Sequence, residues 1–163
     1  MLLLKHLDSF KIYIIILVLS FGFSINVIID FYILNLIFYL FIHLLMIYIV
    51  IYYFRTILYL IFFICGFILD LSLINEFGPH LFTFMILILF LNRIKKTLLK
   101  FSSLRILLFI LVILFISIFF EKIISFLLYS YFFDIQNYIQ IIIISLLISY
   151  PSFYLFYKID NFK

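Results

Sequence analysis

The chain has 163 residues, a net charge of +4, 70% hydrophobic residues and 11% charged ones. A soluble domain holds roughly 45–50% apolar and about 25% charged residues, so too little polar surface exists here to cover a soluble globule. One cysteine, Cys65, excludes an intrachain disulfide framework and a cysteine-rich metal site. No stretch is polar enough or long enough for a soluble domain, which predicts a single transmembrane domain over residues 1–163. Ala and Trp are absent while Ile, Phe, Leu and Tyr abound. That pattern reads as a codon bias toward A and T, so the 25 Phe and 13 Tyr are taken as lipid-compatible residues and not as an aromatic binding surface.

Crossing a bilayer takes about 20 mainly apolar residues. The first such run covers residues 12–29 and ends at Asp30. Lys5 and Lys11 precede it, as in a signal peptide, but it lacks a small-residue cleavage site and more apolar runs follow, so a retained helix is expected. Further runs cover 33–54, 57–74, 79–91, 104–131 and 138–157. The fourth is the shortest, and without it the count falls to five. An all-α polytopic bundle of six helices is expected.

Charge sets the orientation. With a cytoplasmic N-terminus and six alternating spans, ten of the eleven basic residues fall inside and only Lys122 falls toward the outer side. Both termini are then cytoplasmic. The segment after the fourth run carries Arg93, Lys95, Lys96, Lys100 and Arg105. It is read as a cytoplasmic basic loop that fixes topology and attracts anionic lipid headgroups, with a docking site for a cytoplasmic partner as the sharper alternative. Nucleic acid is not expected, because no soluble fold presents the patch.

Ionisable residues within spans usually face the bundle interior. Asp70 lies 15 residues beyond Arg55, and Lys122 lies 17 beyond Arg105. At ~1.5 Å per residue these are about 22 and 25 Å from the cytoplasmic ends. Asn26 lies 15 residues beyond Lys11 and shares this level. A cross-helix pair of Asp70 with Lys122 is the expectation, with Asn26 nearby; the alternative is that both charges snorkel outward and Lys122 pairs locally with Glu121. Gly66 stands one turn before Asp70 on the same helix face, where a small residue admits a neighbouring helix. Ser20 and Ser24 form a second, weaker small-residue pair. Gly78-Pro79 reads as a turn feeding a helix start, with His80 behind it at the outer boundary. His43 falls near mid-membrane and is expected as a hydrogen-bonded core residue.

Catalysis finds no support. Three scattered glycines exclude a phosphate-binding loop, no zinc-binding helix motif is present, and no Ser sits in a nucleophile motif. Cys65 lies within an apolar span, where a thiol stays protonated. No enzyme activity, cofactor or metal is expected.

The run Gly66-Phe67-Ile68-Leu69-Asp70-Leu71, followed eight residues after the Asp by Gly78 and another apolar helix, resembles the MreD family of bacterial rod shape-determining membrane proteins. Pro151 in the last span, the basic end near Lys158 and the basic segment between the fourth and fifth spans fit the same pattern. The compositional bias and His80 after Gly-Pro depart from it. The resemblance implies a non-enzymatic component of the cell-elongation complex in the bacterial inner membrane. It implies MreC, MreB, RodA and a class B penicillin-binding transpeptidase as partners, and Gly66, Asp70, Gly78, Pro79 and Lys122 as packing residues. Proteins of this family are similar in fold to the substrate-binding S-components of energy-coupling-factor vitamin transporters, which supply the rival reading. Against that rival, the helix contact built on spaced alanines is impossible here, and no Trp is available to stack on a ligand.

Overall fold

A computed structural model describes residues 10–20, 22, 32–71, 78–130 and 135–161. Among the described residues there are six α-helices: α1 Phe10–Ser20, α2 Tyr32–Tyr53, α3 Ile57–Leu69, α4 Pro79–Leu98, α5 Ser103–Tyr129 and α6 Ile135–Asn161. The chain forms two compact units, one from residues 1–49 and 136–163, the other from residues 50–135. Among the described residues, three helices hold apolar windows long enough to cross a membrane: Ile33–Tyr53 in α2, Leu104–Tyr129 in α5 and Tyr138–Asp160 in α6. As described, α1 and α3 are shorter apolar helices.

The exposed surface explains why this chain needs lipid. Leu104, Leu108, Val112, Ile116, Phe119 and Leu127 line one exposed side of α5, and Leu146, Leu147, Tyr150 and Tyr154 do so on α6. Contiguous apolar surface of this extent is stable against hydrocarbon and not against water. The α2 helix behaves differently. From Ile42 to Val50 every residue is buried, as expected of a helix that is apolar all round.

In the first unit, Tyr13 of α1, Tyr48 of α2 and Phe156 of α6 form an aromatic core. The Tyr13 and Tyr48 rings lie 5.4 Å apart, and Tyr48 and Phe156 lie 4.7 Å apart. Both phenols donate to the carboxylate of Asp160, Tyr13 at 2.7 Å and Tyr48 by a shorter bond. The Tyr13 hydroxyl also lies 3.0 Å from the Phe156 carbonyl. The α6 helix continues through Pro151, which removes one N–H from its ladder. His43 is fully buried and its Nδ1 donates to the Tyr39 carbonyl at 2.9 Å, as expected of a core histidine.

In the second unit, α3 packs mainly on α4, and α4 on α5. Leu58, Phe62, Cys65 and Leu69 recur every three or four residues and form the buried face of α3. Phe62 meets Phe84 of α4 edge-on at 6.1 Å. Asn92 donates to the Tyr59 hydroxyl at 3.1 Å. At the same end of this hairpin, Lys95 sits 3.4 Å above the Phe54 ring. Partial burial, and then the neighbouring Lys96, hold the Lys95 ammonium below the usual lysine value.

The fourth helix is longer than its apolar run. It starts at Pro79 and continues past residue 91 to Leu98, because Arg93, Lys95 and Lys96 are good helix formers. The basic segment is therefore not one loop. Arg93, Lys95 and Lys96 lie on the last turns of α4, Lys100 lies in the short connection, and Arg105 lies in the first turn of α5. Two of these cations, Lys95 and Lys96, complement the negative end of the α4 dipole.

Candidate functional site

A helix that begins with Gly78-Pro79 starts with orphan amides. Pro79 at the first position has no N–H, so the next two amides, His80 and Leu81, need acceptors. Gly78 at the N-cap has no side chain to supply one. The acceptor comes instead from the preceding helix. The helical path of α3 continues through Asp70, whose carboxylate takes four hydrogen bonds from the start of α4. Oδ2 accepts the Gly78 N–H at 2.9 Å and the Leu81 N–H at 3.1 Å. Oδ1 accepts the His80 N–H at 2.9 Å and lies 2.8 Å from His80 Nδ1. Asp70 has no solvent exposure. The positive end of the α4 dipole further offsets the cost of burying its charge.

Two glycines make this approach possible. A Cβ on Gly66 would stand 2.6 Å from the Leu81 Cα and 2.9 Å from the Leu81 nitrogen, so α4 starts directly against bare backbone of α3. Gly78 has φ of +137°, a conformation that side chains strain to adopt. A Cβ there would also meet Leu128 Cδ1 of α5 at 2.9 Å. Gly66, Asp70, Gly78 and Pro79 are thus brought together, each for a separate steric or hydrogen-bonding reason.

Lys122 is not part of the clasp. Its side chain is exposed on α5. Among the described residues, the Asp70 carboxylate bonds to Gly78, His80 and Leu81 and not to Lys122, so the expected Asp70–Lys122 pair does not form. Asn26 and Ser24, the other groups expected near helix contacts, lie outside the described residues. The α5 residue that reaches the clasp is Glu121, one position earlier. Its Oε1 lies 3.3 Å from His80 Nε2, and it is 3% exposed. The depth reckoning from Arg105 gave the right level on α5 and the wrong face, since adjacent helix residues point about 100° apart at 3.6 residues per turn.

His80 therefore bridges α3 and α5 from the first turn of α4, with each ring nitrogen turned to a buried carboxylate. Sequence reasoning placed it at a boundary without a role. The available signal was the helix start itself: an N-terminal Pro with a Gly cap leaves donors that Asp70 is near enough in sequence to accept. Chemically, the cluster can cap a helix, tie three helices together and hold a proton. The four N–H contacts already made by Asp70 fill the usual acceptor capacity of a carboxylate.

An apolar groove of about 220 Å³ runs between α4 and α5, lined by Ile86, Phe90 and Ile116 among others. Its hydroxyls, Thr83 and Ser117, donate to the carbonyls of Pro79 and Ile113 in their own helices. No protein-family model, curated protein or solved structure matches this chain.

Proposed function

We propose that this chain is a non-enzymatic membrane scaffold, a component of the cell-elongation complex of the kind represented by MreD. The observation that carries the reading is the Gly66–Asp70–Gly78 constellation. The residues on which the resemblance rests are the same ones that join α3 to α4: Gly66 admits the start of α4, Asp70 caps it and Gly78 makes the turn. A motif whose residues all serve helix packing fits a protein that works by presenting a fixed helix surface to partners.

In this reading the chain crosses the bacterial inner membrane six times with both termini in the cytoplasm. It joins MreC and the MreB filament to RodA and its class B transpeptidase. The cations of the α4–α5 connection face anionic lipid and the cytoplasmic filament. Arg93, Lys96, Lys100 and Arg105 are exposed there.

The rival, a vitamin-binding S-component, needs polar groups aimed at a ligand. Asp70 is fully engaged by α4, and the groove between α4 and α5 offers hydroxyls already bonded to their own backbones. Both observations favour the scaffold.

The test is depletion in a rod-shaped host that carries this gene. Rounded cells and co-purification with MreC are expected. Unchanged shape accompanied by loss of vitamin uptake overturns the scaffold in favour of the transporter.

A further inference from the structure

The contact between His80 and Glu121 raises a question of hydrogen count. The Asp70 carboxylate is acceptor-only and already faces three backbone N–H groups, so the ring nitrogen beside it, Nδ1, carries a hydrogen. The other nitrogen, Nε2, faces Glu121 Oε1 at 3.3 Å. If His80 were neutral and Glu121 ionised, two lone pairs would face each other in a site where both residues are at least 97% buried. One additional proton removes the conflict. It resides on Nε2 and is donated to the carboxylate, or on Glu121 and is donated to Nε2.

We infer that His80 and Glu121 form a proton-binding site whose bound proton joins α5 to the α3–α4 hairpin. With the proton present, the ring links Asp70 and Glu121 in one chain of hydrogen bonds across three helices. Loss of that proton to solvent leaves two ionised carboxylates and a neutral ring in the site. Among the described residues, the charged groups facing the ring are Asp70 from α3 and Glu121 and Lys122 from α5. Asp70 is held by the α4 amides and stays. Glu121 is therefore the group that leaves, turning toward water and the exposed Lys122 beside it, and the outer half of α5 loosens with it. Protonation-dependent contacts between helices built on histidine are a known physical device for switching. The proton site follows from the geometry of the second unit alone and does not depend on the rod-complex reading.

The chain suits a direct test, because Glu76 and Glu121 are its only glutamates and His6, His43 and His80 its only histidines. Full-length protein in lipid nanodiscs is labelled with ¹⁵N-histidine and ¹³C-glutamate and followed by NMR across pH, with amide hydrogen exchange read over residues 119–129. The His80 ring and the Glu121 carboxyl should change in one shared transition. On the deprotonated side, exchange in the outer part of α5 should rise on the order of tenfold beyond the intrinsic pH effect. Glu121→Gln, which keeps the shape and removes the titrating carboxyl, should abolish that pH-dependent rise. Two results overturn the inference: His80 titrating identically in wild type and Glu121→Gln, or exchange in α5 that ignores the His80 transition. If Glu121→Gln fails to fold, the wild-type comparison of the His80 and Glu121 signals decides, because transitions at separate pH values sink a shared proton.

Discussion

Each of the two units has a carboxylate that organises its helices, and the two carboxylates work in opposite ways. Asp70 accepts from partners 8 to 11 residues away, three of them backbone amides at a helix start. Asp160 accepts from the phenols of Tyr48 and Tyr13, which are 112 and 147 residues away. Asp70 has no exposure, whereas Asp160 is half-buried. The first is a local device that fixes how one helix hairpin turns. The second is a long-range device that ties the end of α6 to α1 and α2. The difference teaches where the energy resides. A buried charge that caps orphan amides leaves several groups unsatisfied when lost, while losing the half-buried acceptor of two phenols leaves fewer, since Tyr13 keeps the Phe156 carbonyl at 3.0 Å.

That comparison sets an order of expected effects, all measurable as unfolding free energy or midpoint in detergent or nanodiscs. Asp70→Ala should cost the most, about 4 kcal/mol, because three backbone N–H groups and the buried His80 ring lose their acceptor together. A loss below that of the Asp160 variant would reverse the comparison. Gly66→Ala should follow at about 2–3 kcal/mol, since its new methyl meets backbone of Leu81 that has no rotamer with which to escape. Asp160→Asn should cost about 1–2 kcal/mol, because an amide oxygen can still accept one of the two phenols. Tyr48→Phe in the same site should cost about 1 kcal/mol, and combining it with Asp160→Asn should cost less than the sum, because both remove the same bond. Lys95→Met should be the smallest, about 0.5 kcal/mol, as it removes a cation from the Phe54 ring while keeping most of the packing.

Part of the second unit is legible in the sequence. Gly66, Asp70, Gly78 and Pro79 stand out because this chain holds three glycines and two prolines in all, and because a carboxylate inside an apolar span is rare. The start of α4 at Pro79 follows from the same residues. The other end of α4 did not, because hydropathy marks where lipid ends and not where hydrogen bonding ends; the helix runs on through Arg93, Lys95 and Lys96. Height alone pairs Lys122 with Asp70. Height is set by counting residues, but the face is set by how α5 is rotated against α4, and Glu121 won that contest. The Tyr13–Tyr48–Asp160 cluster left no local signal, since two tyrosines among 13 and an aspartate near the chain's end acquire meaning only when α1, α2 and α6 meet.

By itself, the sequence determined the membrane-compatible all-α class, the approximate helix order and the start of α4 at Gly78-Pro79. These depend on composition, on apolar run length and on backbone groups only a few residues apart, so local chemistry suffices. Tertiary structure alone decided that His80 stands between two carboxylates, that Glu121 and not Lys122 faces inward, and that Asp160 is claimed by two distant phenols. Each of those depends on the rotation and meeting of separate helices, and many rotations share one hydropathy profile while only packing and hydrogen-bond satisfaction select among them.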